Sequence, residues 1–237
     1  MHVGIIELTT VLPGLEGKPT AGHQIADWLL RAMPRDKMQV FPVGGGMELP
    51  DIARCDGFVI SGSGMGVYDT PDWMEPLRGF LLAAKAAGKP LVGICFGHQI
   101  MADTFGGKAE KAALGKVIGV RRFRIEGVDY PAHVWHQDQV TGIPPGAKVV
   151  GVADHCPIGA LEYEFPAWSV QFHPEYTEDT ILAEITAACP QFVPEEILHA
   201  AVKEISAAEV SVDLMAVKAA EVLRGGYSAD LSGKAKT

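Results

Sequence analysis

Apolar positions in this chain change their period along its length, and each change marks an element. Val3, Ile5 and Ile6 lie in a short run over residues 2–8 that predicts a strand, followed by a loop rich in Gly and Pro. Ile25, Trp28, Leu29 and Ala32 then recur on one face of a helix. Runs near 38–43 and 55–60 predict two more strands, 72–87 a helix, and Leu91–Ile94 a buried strand leading straight into another helical pattern. Strands alternating with helices predict an α/β fold, doubly wound, with a mainly parallel sheet covered on both faces.

From 117 to 172 the pattern shortens to strands at 117–125, 131–135, 147–153, 158–162 and 167–172, broken by Gly and Pro, as in a small mixed or antiparallel extension. Residues 178–224 return to a helical period, with Ile181, Ile185, Ile197, Val202, Ile205, Leu214, Val217 and Leu223 as the expected buried positions. The tail from Gly225 reads as disordered. The expected organisation is one α/β domain over 1–188 and a helical extension over 189–237 within the same structural unit. No internal repeat is visible.

The buried run at 91–94 ends in Gly93-Ile94-Cys95-Phe96-Gly97, a Gly-x-Cys-x-Gly turn with sulfur where a nucleophile elbow usually carries oxygen. Glycines on both sides suit a strained strand-to-helix turn that neighbouring chain approaches closely. The thiol then sits at a helix start, where the dipole and free N–H groups favour a thiolate and can hold an oxyanion. A nucleophilic thiol needs a base, and the base needs an orienting group. His173 and Glu175, in Gln171-Phe172-His173-Pro174-Glu175, supply that pair, and Pro174 disfavours helix at His173 and places it at a strand end.

The elbow, the pair His173 and Glu175, and the intervening His136-Gln137-Asp138-Gln139-Val140 and Ile143-Pro144-Pro145-Gly146 resemble the class I glutamine amidotransferases, the Cys-His-Glu glutaminase domains. Within that family the chain looks most like stand-alone members similar to the glutaminase domain of GMP synthase. The resemblance spans roughly residues 1–176. It implies a flavodoxin-like glutaminase core in which Cys95 attacks the side-chain amide of glutamine, His173 protonates the departing ammonia, and Glu175 orients His173. It further implies an oxyanion hole in the loop Ser61-Gly62-Ser63-Gly64, from the backbone N–H groups of Ser63 and Phe96. Here the chain has Ser63 and Gly64 where the family pattern has Gly and Pro. Substrate contacts implied by the same likeness are Gly62, Gln99, Trp135, His136 and Asp138. Gln99 lies one helical turn after Cys95, and the acidic Asp138 suits an α-ammonium. Trp135 replaces a small residue of the pattern.

Other chemistry is thin. The glycines at 62, 64 and 66 have the wrong spacing for a dinucleotide fingerprint, and the chain contains no phosphate loop, so no cofactor is expected. His133, His136, His155 and Cys156 lack metal-ligand spacing, and no metal is expected. The 237 residues carry a net charge of −9, which argues against a nucleic-acid partner. Four scattered cysteines suit reduced thiols, and neither a signal peptide nor a membrane-spanning run is visible, so a cytoplasmic location is expected.

Three readings follow. The first is release of ammonia from glutamine through a Cys95 thioester, with a separate synthetase protein as ammonia acceptor. The second is a γ-glutamyl peptidase with no acceptor. The third is a non-catalytic binding or regulatory protein on the same scaffold. The helices after 188 are open to three roles: a cap on the core, a homodimer surface, or a docking surface for an acceptor enzyme.

Overall fold

A computed structural model describes residues 1–226. The tail expected to be disordered lies, beyond Gly226, outside the described residues. Five parallel strands form one half of a nine-stranded sheet: β1 (His2–Glu7), β2 (Lys37–Pro42), β3 (Gly57–Ile60), β4 (Leu91–Ile94) and β11 (Ala167–Val170), in the order β2-β1-β3-β4-β11. Strands β3, β4 and β11 are buried at every position, as a sheet covered on both faces requires.

The side-chain period of two sorts the sheet into two cores. Val3, Ile5, Val59, Val92 and Ile94 face α1 (Ala21–Leu30) and α6 (Asp213–Leu223). Ile6, Phe58, Ile60 and Leu91 face α2 (Met74–Ala86) and α3 (Phe96–Thr104). The strand β4, which leads directly into Cys95, thus lies mid-sheet between two packed layers.

Beyond β11 the sheet continues antiparallel through β10 (Cys156–Glu162), β9 (Lys148–Ala153), β6 (Val117–Ile125) and β7 (Val128–His136). The antiparallel part is therefore not small: it is four of nine strands and continuous with the parallel half. Two strands absent from the sequence reading, β5 (Lys108–Lys111) and β8 (Asp138–Gly142), pair separately as a ribbon.

The last helices cap this architecture. α4 (Glu178–Ala187) and α5 (Glu195–Ile205) bury Ile181, Ile185, Ala201 and Ile205 over Ile118 of β6, with Trp135 of β7 packed alongside. The buried face of α6 differs from expectation: Met215, Ala216, Ala219, Ala220 and Leu223 are buried, whereas Leu214 and Val217 are half-exposed. Small alanines let α6 approach α1 and the sheet closely, so the helix turns that face inward rather than its larger branched residues. Among the described residues no helix is long and apolar enough to cross a membrane.

Candidate active site

Cys95 occupies the turn between β4 and α3 with φ 53° and ψ −103°, a backbone conformation that costs a side-chain-bearing residue roughly 1–3 kcal/mol. Packing on both sides enforces it. A Cβ on Gly97 would lie 2.2 Å from the Ile60 carbonyl oxygen, and one on Gly93 would lie 2.7 Å from the Gly97 carbonyl. The Cys95 N–H donates to the Val170 carbonyl at 2.8 Å, and the Gly97 N–H donates to the Ser61 carbonyl at 3.1 Å, tying the elbow to β11 and to the loop after β3. The buried thiol lies 3.7 Å from the Trp135 carbonyl oxygen and receives a hydrogen bond from Gln171 Nε2 at 3.8 Å.

His173 follows β11 and is fixed to β7 by its N–H, which donates to the His133 carbonyl at 2.9 Å. Its Nδ1 lies 2.7 Å from Glu175 Oε1, with both side chains buried. A carboxylate only accepts, so Nδ1 carries a proton and Nε2 is the nitrogen left for chemistry. The ring stacks on Tyr176 with centroids 4.2 Å apart and planes at 4°. Burial is the largest influence on His173 and disfavours its charge. Electrostatic attraction from Glu175 and Cys95, with hydrogen bonds to both, outweighs it and holds the His173 pKa well above its ordinary value.

The loop after β3 closes over this pair. A Cβ on Gly62 would lie 3.1 Å from His173 Cε1 and 3.7 Å from Cys95 Cβ, so only glycine leaves the space open. Ser63 directs its hydroxyl away, donating to the Leu8 carbonyl at 3.2 Å and accepting from the Met65 N–H at 3.2 Å. Phe96 buries its ring edge-on against Trp73, which leaves its backbone as the part that can serve the site.

On the other side of Cys95, Gln99 donates from Nε2 to the Asp138 carbonyl at 2.9 Å and to Gln171 Oε1 at 3.2 Å. Its amide nitrogen is thereby committed to organising the wall of the cavity. His136 donates from Nδ1 to the same Asp138 carbonyl at 3.1 Å, and burial beside His155 pushes its pKa down to about 3, so it is neutral. Burial raises the Asp138 pKa, against its bond from the Tyr68 hydroxyl, and its Oδ1 is buried with no partner. An unpaired buried acceptor of this kind suits a ligand cation. The indole of Trp135 packs toward α4 and α5, so the residue meets the thiol through its carbonyl alone.

A cavity of about 590 Å³ joins these groups: Gly62, Ser63, Cys95, Gln99, Trp135, His136, Asp138, His173 and Glu175 all line it. It continues along the loop after β1, residues 8–20, to α4 and Phe192. Every site residue named from the sequence lines it except Phe96. The sequence reading missed Gln171, Tyr176 and Tyr68. Gln171 had a usable signal, being two residues before His173 and hence on the same side of an extended chain. Among the described residues, no group of three or more His, Cys, Asp or Glu is arranged to hold a metal.

Residues 22–189 match the family described as glutamine amidotransferase class-I. Gamma-glutamyl peptidase 2 of Arabidopsis thaliana is 31% identical over 188 residues, which cover 74% of this chain and 76% of that protein. The GMP synthase [glutamine-hydrolyzing] of Azoarcus sp. (strain BH72) is 36% identical over 139 residues, 51% of this chain, which spans about a quarter of that longer protein. A crystal structure of a glutamine amidotransferase from Methylobacillus flagellatus superposes with a TM-score of 0.73 over 96% of both chains at 22% identity, a likeness of fold. A family match over well more than half the chain, on the fold that carries the Cys95 elbow, places this protein in the class-I glutamine amidotransferase family.

Proposed function

We propose that this protein hydrolyses γ-glutamyl amide bonds through a thioester on Cys95. The observation that carries the reading is His173, buried with its Nδ1 2.7 Å from Glu175 and beside Cys95, the two raising its pKa against the effect of burial. The Cys95 thiolate adds to the γ-carbonyl, and the resulting oxyanion takes hydrogen bonds from the Ser63 and Phe96 N–H groups. The C–N bond breaks as His173 passes its Nε2 proton to the departing nitrogen. Water then attacks the thioester, gives a proton to His173, and releases glutamate, which restores the thiolate and imidazolium. Asp138 receives the α-ammonium of the glutamyl group, and Gln99 holds the Asp138 backbone in place.

Glutamine and γ-glutamyl peptides share this acyl half and differ in the leaving group. Ten non-hydrogen atoms of glutamine, even at the ~30 Å³ each water takes in the liquid, fill no more than ~300 Å³. The cavity holds about 590 Å³. That surplus favours an amine leaving group larger than ammonia, as in a γ-glutamyl peptidase. Ammonia release from glutamine to a separate acceptor protein is the second reading, and the likeness to GMP synthase over 139 residues favours it.

Mass spectrometry of the protein incubated with glutamine, with γ-glutamyl dipeptides and with a glutamine-mimicking chloroketone tests both. The chloroketone is expected to label Cys95 and to spare Cys55 and Cys156, because burial raises the pKa of Cys55 and pushes that of Cys156 up to about 12. Cys95→Ala is expected to lower turnover by at least about 10³-fold. Undiminished turnover in Cys95→Ala rules the mechanism out. Ammonia from glutamine with intact dipeptides selects the second reading.

A further inference from the structure

The leaving nitrogen must lie on the His173 side of Cys95, because His173 gives it the proton. That side is a continuous wall. Tyr176, stacked on His173, donates its hydroxyl to Glu184 at 2.7 Å, and Glu184 accepts from Gln24 of α1 at 2.9 Å. The loop before α1 borders the same space, and its Leu12 packs onto the apolar cluster of α4 and α5.

The lining of this part of the cavity has a specific chemistry. Leu12, Leu15, Val11 and Phe192 are apolar, and Val11 and Phe192 are 49% and 46% exposed, so together they leave an apolar face open to a ligand in the cavity. Among the described residues, Lys18 and Lys116 are the cavity's two lysines, and its lining includes no arginine. Among the described residues Lys18 makes no side-chain hydrogen bond or ion pair and Lys116 donates only to the neutral Phe192 carbonyl, so no carboxylate there neutralises either charge. The acidic residues in the cavity are engaged elsewhere: Glu175 with His173, Glu184 with Tyr176 and Gln24, and Asp138 with Tyr68.

We propose that this region is a leaving-group subsite for an amino acid or short peptide with an apolar side chain and a free carboxylate, the carboxylate facing Lys18 and Lys116. The inference rests on the Cys95 hydrolase reading and adds the class of amine that it releases. Apolar side chain and carboxylate are both needed, since apolar walls alone would accept any lipophilic amine and the lysines alone any acid.

Steady-state kinetics of the full chain tests this with four substrates: γ-glutamyl-leucine, γ-glutamyl-glycine, γ-glutamyl-(3-methylbutyl)amide and glutamine. The amide matches the leucine compound except for its missing carboxylate. kcat/KM is expected to be highest for γ-glutamyl-leucine, about five- to tenfold above the amide, the scale of two solvent-accessible ion pairs. In the Lys18→Met/Lys116→Met double variant the ratio is expected to fall toward one, and in Phe192→Ser the preference for leucine over glycine is expected to shrink. Equal kcat/KM for γ-glutamyl-leucine and the amide in the native chain overturns the subsite, as does a double variant that keeps the native ratio. Hydrolysis of glutamine alone also overturns it while leaving the Cys95 mechanism standing. Failure to hydrolyse any of the four, with no chloroketone adduct on Cys95, overturns the mechanism and the subsite together.

Discussion

The imidazole of His173 lies flat on the ring of Tyr176, centroids 4.2 Å apart, with the phenol hydroxyl anchored to Glu184 at 2.7 Å. The proposed acid–base group is thus braced on the face of its ring by an aromatic surface and on its edge by Glu175. A cation over an aromatic face is stabilised, more so when desolvated. Tyr176 therefore does two things at once: it holds the ring plane and favours the charged form.

Replacing Tyr176 separates these contributions. Tyr176→Phe keeps the stack and loses the bond to Glu184, and its kcat is expected to stay within about fivefold of the native value, one net hydrogen bond being worth ~1 kcal/mol. Tyr176→Leu loses the stack, and kcat is expected to fall about tenfold, with the His173 pKa moving down in an NMR titration. If Leu and Phe variants behave alike, the stack contributes nothing to the site.

Glu175 has a signature in the pH profile. Its pull, with that of Cys95, keeps the His173 pKa well above the ordinary 6.5 against the effect of burial. The stabilising charge on His173 is therefore fully present below 6.5 and is lost only as pH rises through the elevated folded value. In Glu175→Gln the attraction goes and burial remains, so the pKa is expected to fall below the native value and toward or past 6.5. The alkaline limb of kcat/KM shifts down in pH with it. An NMR titration of the His173 ring gives the same shift independently of turnover, and an unmoved alkaline limb would mean that Glu175 does not hold the proton there.

The juxtaposition of Cys95, His173 and Glu175 was legible because each sits in a short run with a recognisable local order: glycines two positions either side of the thiol, and a proline between imidazole and carboxylate. The parallel half of the sheet was legible for a similar reason, its strands being short apolar blocks between helical periods. Gln171 and Tyr176 lay within the same runs, yet their roles depend on which residues the fold brings to them: Gln99 and Cys95 for one, Glu184 for the other. Strands β5 and β8 escaped notice because Lys-Ala-Glu-Lys and Asp-Gln-Val-Thr-Gly bury only Ala109 in one and Asp138, Gln139 and Val140 in the other, too little apolar pattern to register as strands. The orientation of α6 was misjudged because its alanines pack by being small, which a search for large apolar residues passes over.

Two glycines near the thiol should respond in opposite ways to alanine. At Gly97 a Cβ meets the Ile60 carbonyl at 2.2 Å, a backbone atom within the sheet that cannot move without displacing β3. Gly97→Ala is expected to cost about 3 kcal/mol in urea unfolding, or to prevent soluble expression. Gly64, in the loop beside Ser63, meets nothing within 4 Å and has no positive φ. Gly64→Ala is expected to leave stability unchanged or raise it by about 0.5 kcal/mol through the unfolded state. Equal effects at the two positions would contradict the packing described for the elbow.

The strain at Cys95 can be measured by removing the side chain that causes it. Alanine keeps the Cβ and hence the conflict at φ 53° and ψ −103°, whereas these angles mirror a region glycine adopts as freely as its opposite. Relief of roughly 1–3 kcal/mol is offset in part by the ~0.5–1 kcal/mol that glycine loses to a more flexible unfolded chain. Cys95→Gly is therefore expected to be more stable than Cys95→Ala by about 1 kcal/mol, a Tm difference of roughly 2–4 °C for a chain of this size, with both expected to be inactive. A glycine variant no more stable than the alanine variant would show that the elbow holds its shape without stored strain. The expected order means instead that the surrounding sheet and helix pay to keep a thiol where only glycine would sit at ease, a cost that packing alone does not explain and the proposed nucleophilic role does.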